Sequence, residues 1–209
     1  MAAYKSKSKR IAKKSFFQVE APLTSVGINL YGSSVEEMHE KLIKLDMTKS
    51  LRGKSIELRL RVLNESGKLV AVPISAELMG SYIRRAIRPG IDYVEDSFET
   101  ECRDYIVRIK PFLITRRKVS RAIRRALRNS AKEFIKLYIK VKTAKEIFSD
   151  ILANKIQKGM AAKLKKIYPL ALCEIRVFEI KEKKQANESE REKIKEDFDK
   201  EELEIKRES

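Results

Sequence analysis

Tryptophan is absent from this sequence, histidine occurs once and cysteine only twice. Cys102 and Cys173 are far apart and form no C-x-x-C pair. That excludes a disulfide framework or thiolate metal site and fits a reducing compartment with two buried, inert thiols. His39 has no serine or cysteine partner at a spacing that suggests a nucleophile. It reads as a surface or boundary residue. No run of about 18 apolar residues is present, so no helical membrane span is expected. Phosphate-cradling glycine loops and the nucleophile elbow are also missing, and the acids gather in the tail. No catalytic set, metal or cofactor is expected. The opening MAAYKSKSKRIAKKS lacks an apolar core after its basic residues and does not read as a secretory signal. Basic and acid-free, it is still compatible with a transit peptide.

What is abundant is charge. There are 47 Lys and Arg against 30 Asp and Glu, for a net charge of +17. An excess of that size sets up a long-range field that attracts polyanions, most often nucleic acid. It is also placed rather than spread. Residues 1–20 carry six bases and one acid, and residues 21–100 eleven of each. Residues 101–180 carry twenty-one bases and seven acids, whereas residues 181–209 carry nine and eleven. With 43% hydrophobic residues, the chain has enough apolar side chains for a real core. The expected organisation is a flexible basic arm over 1–15, one globular domain over 16–181 and a charged tail over 182–209.

Along the folded part, FFQVEAP and VGINLYG read as short strands. Ser34 with Glu37 resembles a capping box opening a helix through 48, with Val35, Met38, Leu42 and Leu45 on one face. Ile56 to Ile74 reads as a hairpin turning at NESGK, and LMGSYIRRAIRPG as a short helix ended by Pro89-Gly90. A second hairpin turns near Cys102–Asp104. One helical stretch then runs over 143–169 before a last strand, LALCEIRVFEIK. The order predicts an α+β fold with an antiparallel, barrel-like sheet flanked by helices.

The densest basic stretch is ITRRKVSRAIRRALRNSAKEFIK, residues 114–136. On a helical wheel with Val119 at the origin, Ala122, Ile123, Ala126, Leu127, Ser130, Phe134 and Leu137 share one arc. Arg117, Arg121, Arg124, Arg125, Arg128, Lys132 and Lys136 share the opposite arc, with Thr115 placed to cap the start. An ordinary solvated face mixes signs, because like charges four apart cost a few tenths of a kcal/mol each. Here Glu133 is the only acid in the stretch. A face that repels itself is favourable against an external anion, and the arginine fork matches phosphate. The candidate phosphate-binding residues are Arg116, Arg117, Lys118, Arg121, Arg124, Arg125 and Arg128. Lys5, Lys7, Lys9, Arg10, Lys13 and Lys14 of the arm are candidates to thread between RNA helices. Two weaker patches, Arg84/Arg85/Arg88 and Lys163/Lys165/Lys166, fit a solvated face and an RNA contact equally well.

With no tryptophan and no basic–aromatic stacking motif, contact would run mainly through phosphate and shape. That favours structured RNA over sequence-read DNA. The competing readings are an RNA-processing enzyme or factor with an acid-based site, and an interaction protein that uses the helix on acidic partners or membranes.

Five segments add a resemblance. FFQVEAP after the basic arm, LRGKSIELRLRVLN, DYIVRIKPFLITRRK, RAIRRAL and KIYPLALCEIRVFEIK occur in the order of one known family. Covering residues 15–181, they are similar to the small-subunit ribosomal protein family shared by archaea and eukaryotes, S-one-e, called S-three-a in animals. The resemblance implies a non-enzymatic, cytoplasmic protein of the small-subunit platform. Its expected partners are small-subunit rRNA, neighbouring ribosomal proteins and mRNA near its exit, with no membrane and no homo-oligomer. It also implies a barrel-like sheet flanked by helices, and rRNA contact by the arm and by the Arg116–Arg128 segment. Residues 33–48 match no family pattern. The polar stretch before the RAIRRAL helix is shorter than in eukaryotic members, and the short tails point to the archaeal form.

Overall fold

The computed structural model describes residues 14–24, 27–51, 53–65 and 67–183. The arm up to residue 13 and the tail from 184 therefore lie outside the described residues. Two strands, β1 (Ser15–Glu20) and β2 (Ile28–Gly32), form the first antiparallel hairpin, with Phe16 opposite Tyr31. The helix expected to run to 48 is only one turn, α1 (Val35–Met38). The Ser34 hydroxyl caps it by accepting the Glu37 N–H, while the Glu37 carboxylate accepts the Ser33 N–H. Glu40 then adopts a left-handed conformation (φ 62°), which no helix can continue through. Leu42–Asp46 becomes a strand, β3, because the open edge of β4 (Ile56–Glu65) is there to pair with it. Leu42 consequently points to solvent instead of joining a helical face with Val35 and Met38.

β4 and β5 (Lys68–Leu78) form the expected hairpin, closed at Gly67, whose φ of +85° suits glycine. Ile56, Leu58, Leu60 and Val62 are all buried, as their alternation predicts. After the short helix α2 (Gly80–Ala86), β6 (Tyr93–Glu95) and β7 (Phe98–Glu101) both pair with β8 (Tyr105–Thr115). The other side of β8 pairs along its length with the last strand, β9 (Leu170–Lys183). β5 joins the two halves, antiparallel to β9 and parallel to β1 at Leu69–Val70. The result is one mostly antiparallel nine-stranded sheet, ordered β2-β1-β5-β9-β8-β6, with β4, β3 and β7 branching from that path. Among the described residues β2 does not pair with β6. The sheet is open, and barrel-like describes it only loosely.

The helices α3 (Arg121–Lys140), α4 (Ala144–Leu152) and α5 (Lys155–Leu164) pack against this sheet. The predicted continuous helix over 143–169 is broken at Asn154, which sits in the left-handed region at φ 59°, a conformation asparagine tolerates. A capping box fixes the start of α4: Thr143 and Glu146 each accept the other's backbone N–H through their side chains. The core runs from Val107, Ile109 and Phe178 of the sheet to Leu127, Ala131, Ile135, Phe148, Ile156 and Met160 of the helices. Phe148 meets Phe178 edge-on at 4.7 Å between ring centroids. Fully burying such a side chain contributes about 1.5–3 kcal/mol. The buried pair Lys54–Glu174 pins the turn before β4 to β9, and the Lys54 ammonium also donates to Asn154 Oδ1 at 2.6 Å. Cys102 is buried. Burial, reinforced by the Glu174 charge, pushes the half-buried Cys173 thiol up to about 12, which disfavours its thiolate.

Candidate nucleic-acid interface

Thr115 does not cap the basic helix. It is the last residue of β8 and is fully buried, and its hydroxyl lies 2.8 Å from the Asp92 carbonyl and 2.7 Å from the Arg117 carbonyl. The same oxygen accepts the Asp92 N–H at 3.1 Å, and the Asp92 carboxylate accepts the Val119 N–H at 2.9 Å. This clamp holds the chain in a short loop over residues 116–120, from which Arg116, Arg117 and Lys118 project into solvent. The helix begins five positions later than the sequence suggests. Ser120 is its N-cap, accepting the Ile123 N–H at 3.4 Å. Arg117 is thus a loop residue and not part of the helical wheel.

The buried stripe of α3 is also rotated from the predicted arc. Leu127, Ala131, Ile135 and Ile139 are completely buried, whereas Leu137 is 67% exposed and Ala122 and Ala126 face solvent. Residues four apart drift about 40° around a helix, so a stripe at that spacing winds across a twenty-residue face. Phe134 packs half-buried on α5, where Gly159 leaves room for its ring. Lys132 lies over the Phe98 ring at 5.5 Å. The cations at the start of the helix therefore flank the sheet edge formed by β6 and stand beside the clamped loop.

Arg121, Arg124, Arg125 and Arg128 line a groove of about 370 Å³ together with Tyr93 and Val94 of β6. Among the described residues none of the seven candidates Arg116, Arg117, Lys118, Arg121, Arg124, Arg125 and Arg128 is ion-paired. Two sheet arginines are placed differently. Arg59 pairs with Glu57 and Glu77, and Arg108 with Glu99 and Glu179. Of the acids flanking Tyr93 and Val94, Glu95 pairs with Arg176, while the Asp92 carboxylate accepts the Val119 N–H. This end of α3 therefore carries a strong excess of positive charge.

Of the arm candidates, Lys14 is described: it is exposed, with its ammonium 5.8 Å from the centre of the Tyr31 ring. Lys5, Lys7, Lys9, Arg10 and Lys13 lie outside the described residues. Arg84, Arg85 and Arg88 are exposed on and after α2, and Lys163, Lys165 and Lys166 at the end of α5. Sequence reasoning missed Asp92 and Tyr93, which lie more than twenty-five residues before the helix and carry no local motif, and it read Thr115 as a cap when it is the end of β8. His39 is exposed, and its Nδ1 accepts the Asn64 N–H. Among the described residues no helix is long and apolar enough to cross a membrane, and no three His, Cys, Asp or Glu side chains cluster as a metal site.

The described residues thus form a basic α+β protein with an open sheet and a densely cationic helix end. The sequence profile of the Ribosomal S3Ae family matches residues 2–184, and the chain belongs to that family. No curated protein gives a significant match. Family membership makes this a small-subunit ribosomal protein of the cytoplasmic ribosome, with rRNA and other ribosomal proteins as partners.

Proposed function

We propose that this protein is a structural constituent that binds small-subunit rRNA through one end of α3 and the loop before it. In this reading it supports subunit assembly and does not turn RNA over. The observation that carries the reading is the set of seven cations from Arg116 to Arg128, exposed or half-exposed and without an acidic partner among the described residues. Like charges packed at this spacing are unfavourable alone, and phosphate relieves them. The clamp at Asp92 and Thr115 orders the loop cations in advance, which lowers the entropy lost on binding. Lys14 and the other arm residues, Lys5, Lys7, Lys9, Arg10 and Lys13, are proposed as a second set of rRNA contacts. Neighbouring ribosomal proteins and mRNA near its exit complete the proposed surroundings.

A reading as an RNA-processing enzyme with an acid-based site gains no support from the buried acids. Asp150 is bound by Lys142, Tyr138 and Lys155, and Glu174 by Lys54. These are anchors of the fold, not proton-transfer groups facing a cleft. Affinity for small-subunit rRNA fragments as a function of salt, with the α3 arginines exchanged for glutamine, tests the proposal.

A further inference from the structure

We propose that the arginine groove of α3 accommodates an unpaired RNA base, stacked on the ring of Tyr93, while the arginines hold the flanking phosphates. This inference rests on the rRNA-binding reading and narrows its ligand from structured RNA in general to a bulged or looped-out nucleotide.

Tyr93 opens the three-residue strand β6, which pairs only with β8 and leaves the ring at the rim of the sheet. The side chain is 51% exposed. Its hydroxyl makes no hydrogen bond among the described residues, so the ring is not held there by a polar tether. What holds it is packing: the buried Phe112 ring, a diagonal cross-strand neighbour, lies alongside at a centroid distance of 6.2 Å and an angle of 39°. A half-exposed aromatic ring packed at one side against a buried neighbour offers a free face for stacking. Four arginines of α3 line the same groove. The neighbouring acid Glu95 is turned to Arg176.

A fully paired helix keeps its bases stacked inside and offers this groove only phosphate and sugar. For that purpose the ring adds nothing, and a lysine or glycine would serve as well. An unpaired base uses both features, because aromatic faces accept any base by stacking and arginine planes can continue the stack. Sequence inspection finds no basic–aromatic motif because the elements meet only in the fold: Tyr93 comes from an edge strand and the arginines from a helix that follows β8.

The test uses the full-length protein and three RNA hairpins of equal length: one fully paired, one with a single bulged uridine, and one with an abasic bulge. The expected result is that the bulged uridine binds roughly 10-fold tighter than the abasic bulge, within the range of about 5- to 150-fold that one stacked base is worth. Tyr93→Leu should erase that preference without altering the salt dependence, and Tyr93→Phe should keep it. A 5-iodouridine at the bulge should photocrosslink to Tyr93 in the wild-type protein, a readout that needs no variant to fold. Equal binding of the uridine and abasic hairpins, a preference that survives Tyr93→Leu, or crosslinks confined to other residues would each overturn the inference. So would a Tyr93→Leu protein that binds every hairpin normally but loses a neighbouring ribosomal protein, since the ring would then face protein. Absence of salt-dependent binding to any of the three hairpins would instead defeat the underlying rRNA reading.

Discussion

Replacing Thr115 by valine removes one hydroxyl and almost no volume, so its effect reports the clamp that shapes the basic loop. The oxygen accepts the Asp92 N–H at 3.1 Å, and its single proton is shared between the carbonyls of Asp92 and Arg117 at 2.8 and 2.7 Å. The Asp92 carbonyl keeps the Thr115 N–H at 2.9 Å, and the carbonyl of exposed Arg117 can turn to water. The Asp92 N–H, in a half-buried residue, has no such replacement. One buried polar group left without a partner costs about 1–3 kcal/mol. For a chain of this size each kcal/mol lowers Tm by about 2–4 °C, so a fall centred near 5 °C is expected. Circular dichroism gives the melting point. Amide hydrogen exchange should quicken across residues 116–120 while the β8–β9 ladder stays protected. An unchanged Tm with unchanged exchange in that loop would show that the clamp does not order it.

Two further outcomes follow from the buried ion pairs. Lys54 and Glu174 are 8% and 9% exposed, so Glu174→Gln leaves a buried ammonium with neutral amide oxygens but no counter-charge beside it. The expected cost is about 3 kcal/mol, read as a lower urea midpoint, and a combined Lys54→Met/Glu174→Leu variant should recover most of it. A midpoint unchanged by Glu174→Gln would contradict the assignment. Burial alone would raise the Asp150 carboxyl, but the hydrogen bonds from Lys142 and Tyr138 and the charge of Lys155 outweigh it and hold the group below the ordinary aspartate value. A depressed folded-state value contributes stability above the unfolded value, about pH 4, and loses it as pH falls through the folded one. The Tm gap between wild type and Asp150→Asn should therefore be flat from pH 6 to 8 and close below about pH 4. A gap that persists to pH 2 would refute the coupling.

Much of the architecture is legible wherever one signal dominates. The alternation of Ile56, Leu58, Leu60 and Val62 with its glycine turn gives the β4–β5 hairpin, and the last strand is equally plain. The misread segments are those that tertiary contacts decide. Leu42–Asp46 suits a helix or a strand, and the free edge of β4 settles it. Thr115 resembles an N-cap in isolation, yet its hydroxyl is taken by Asp92 from across the sheet. Asn154 breaks one apparent helix into two where Lys54, a hundred residues earlier, reaches its side chain. The cationic character of 116–128 is written in the sequence. Its companions Asp92 and Tyr93 are not, because β6 and the residue before it reach the segment only through pairing with β8.

The central claim is that the unpaired arginines of α3 bind rRNA phosphate. The most direct measurement is the affinity of the full-length protein for small-subunit rRNA fragments across a salt series. It is repeated with Arg121, Arg124, Arg125 and Arg128 all changed to glutamine. Each phosphate contact contributes about 0.7 to 0.9 to the log–log slope. A steep wild-type slope that loses roughly 3 units in the variant is predicted. A shallow wild-type slope, or one that the four substitutions leave intact, would contradict it.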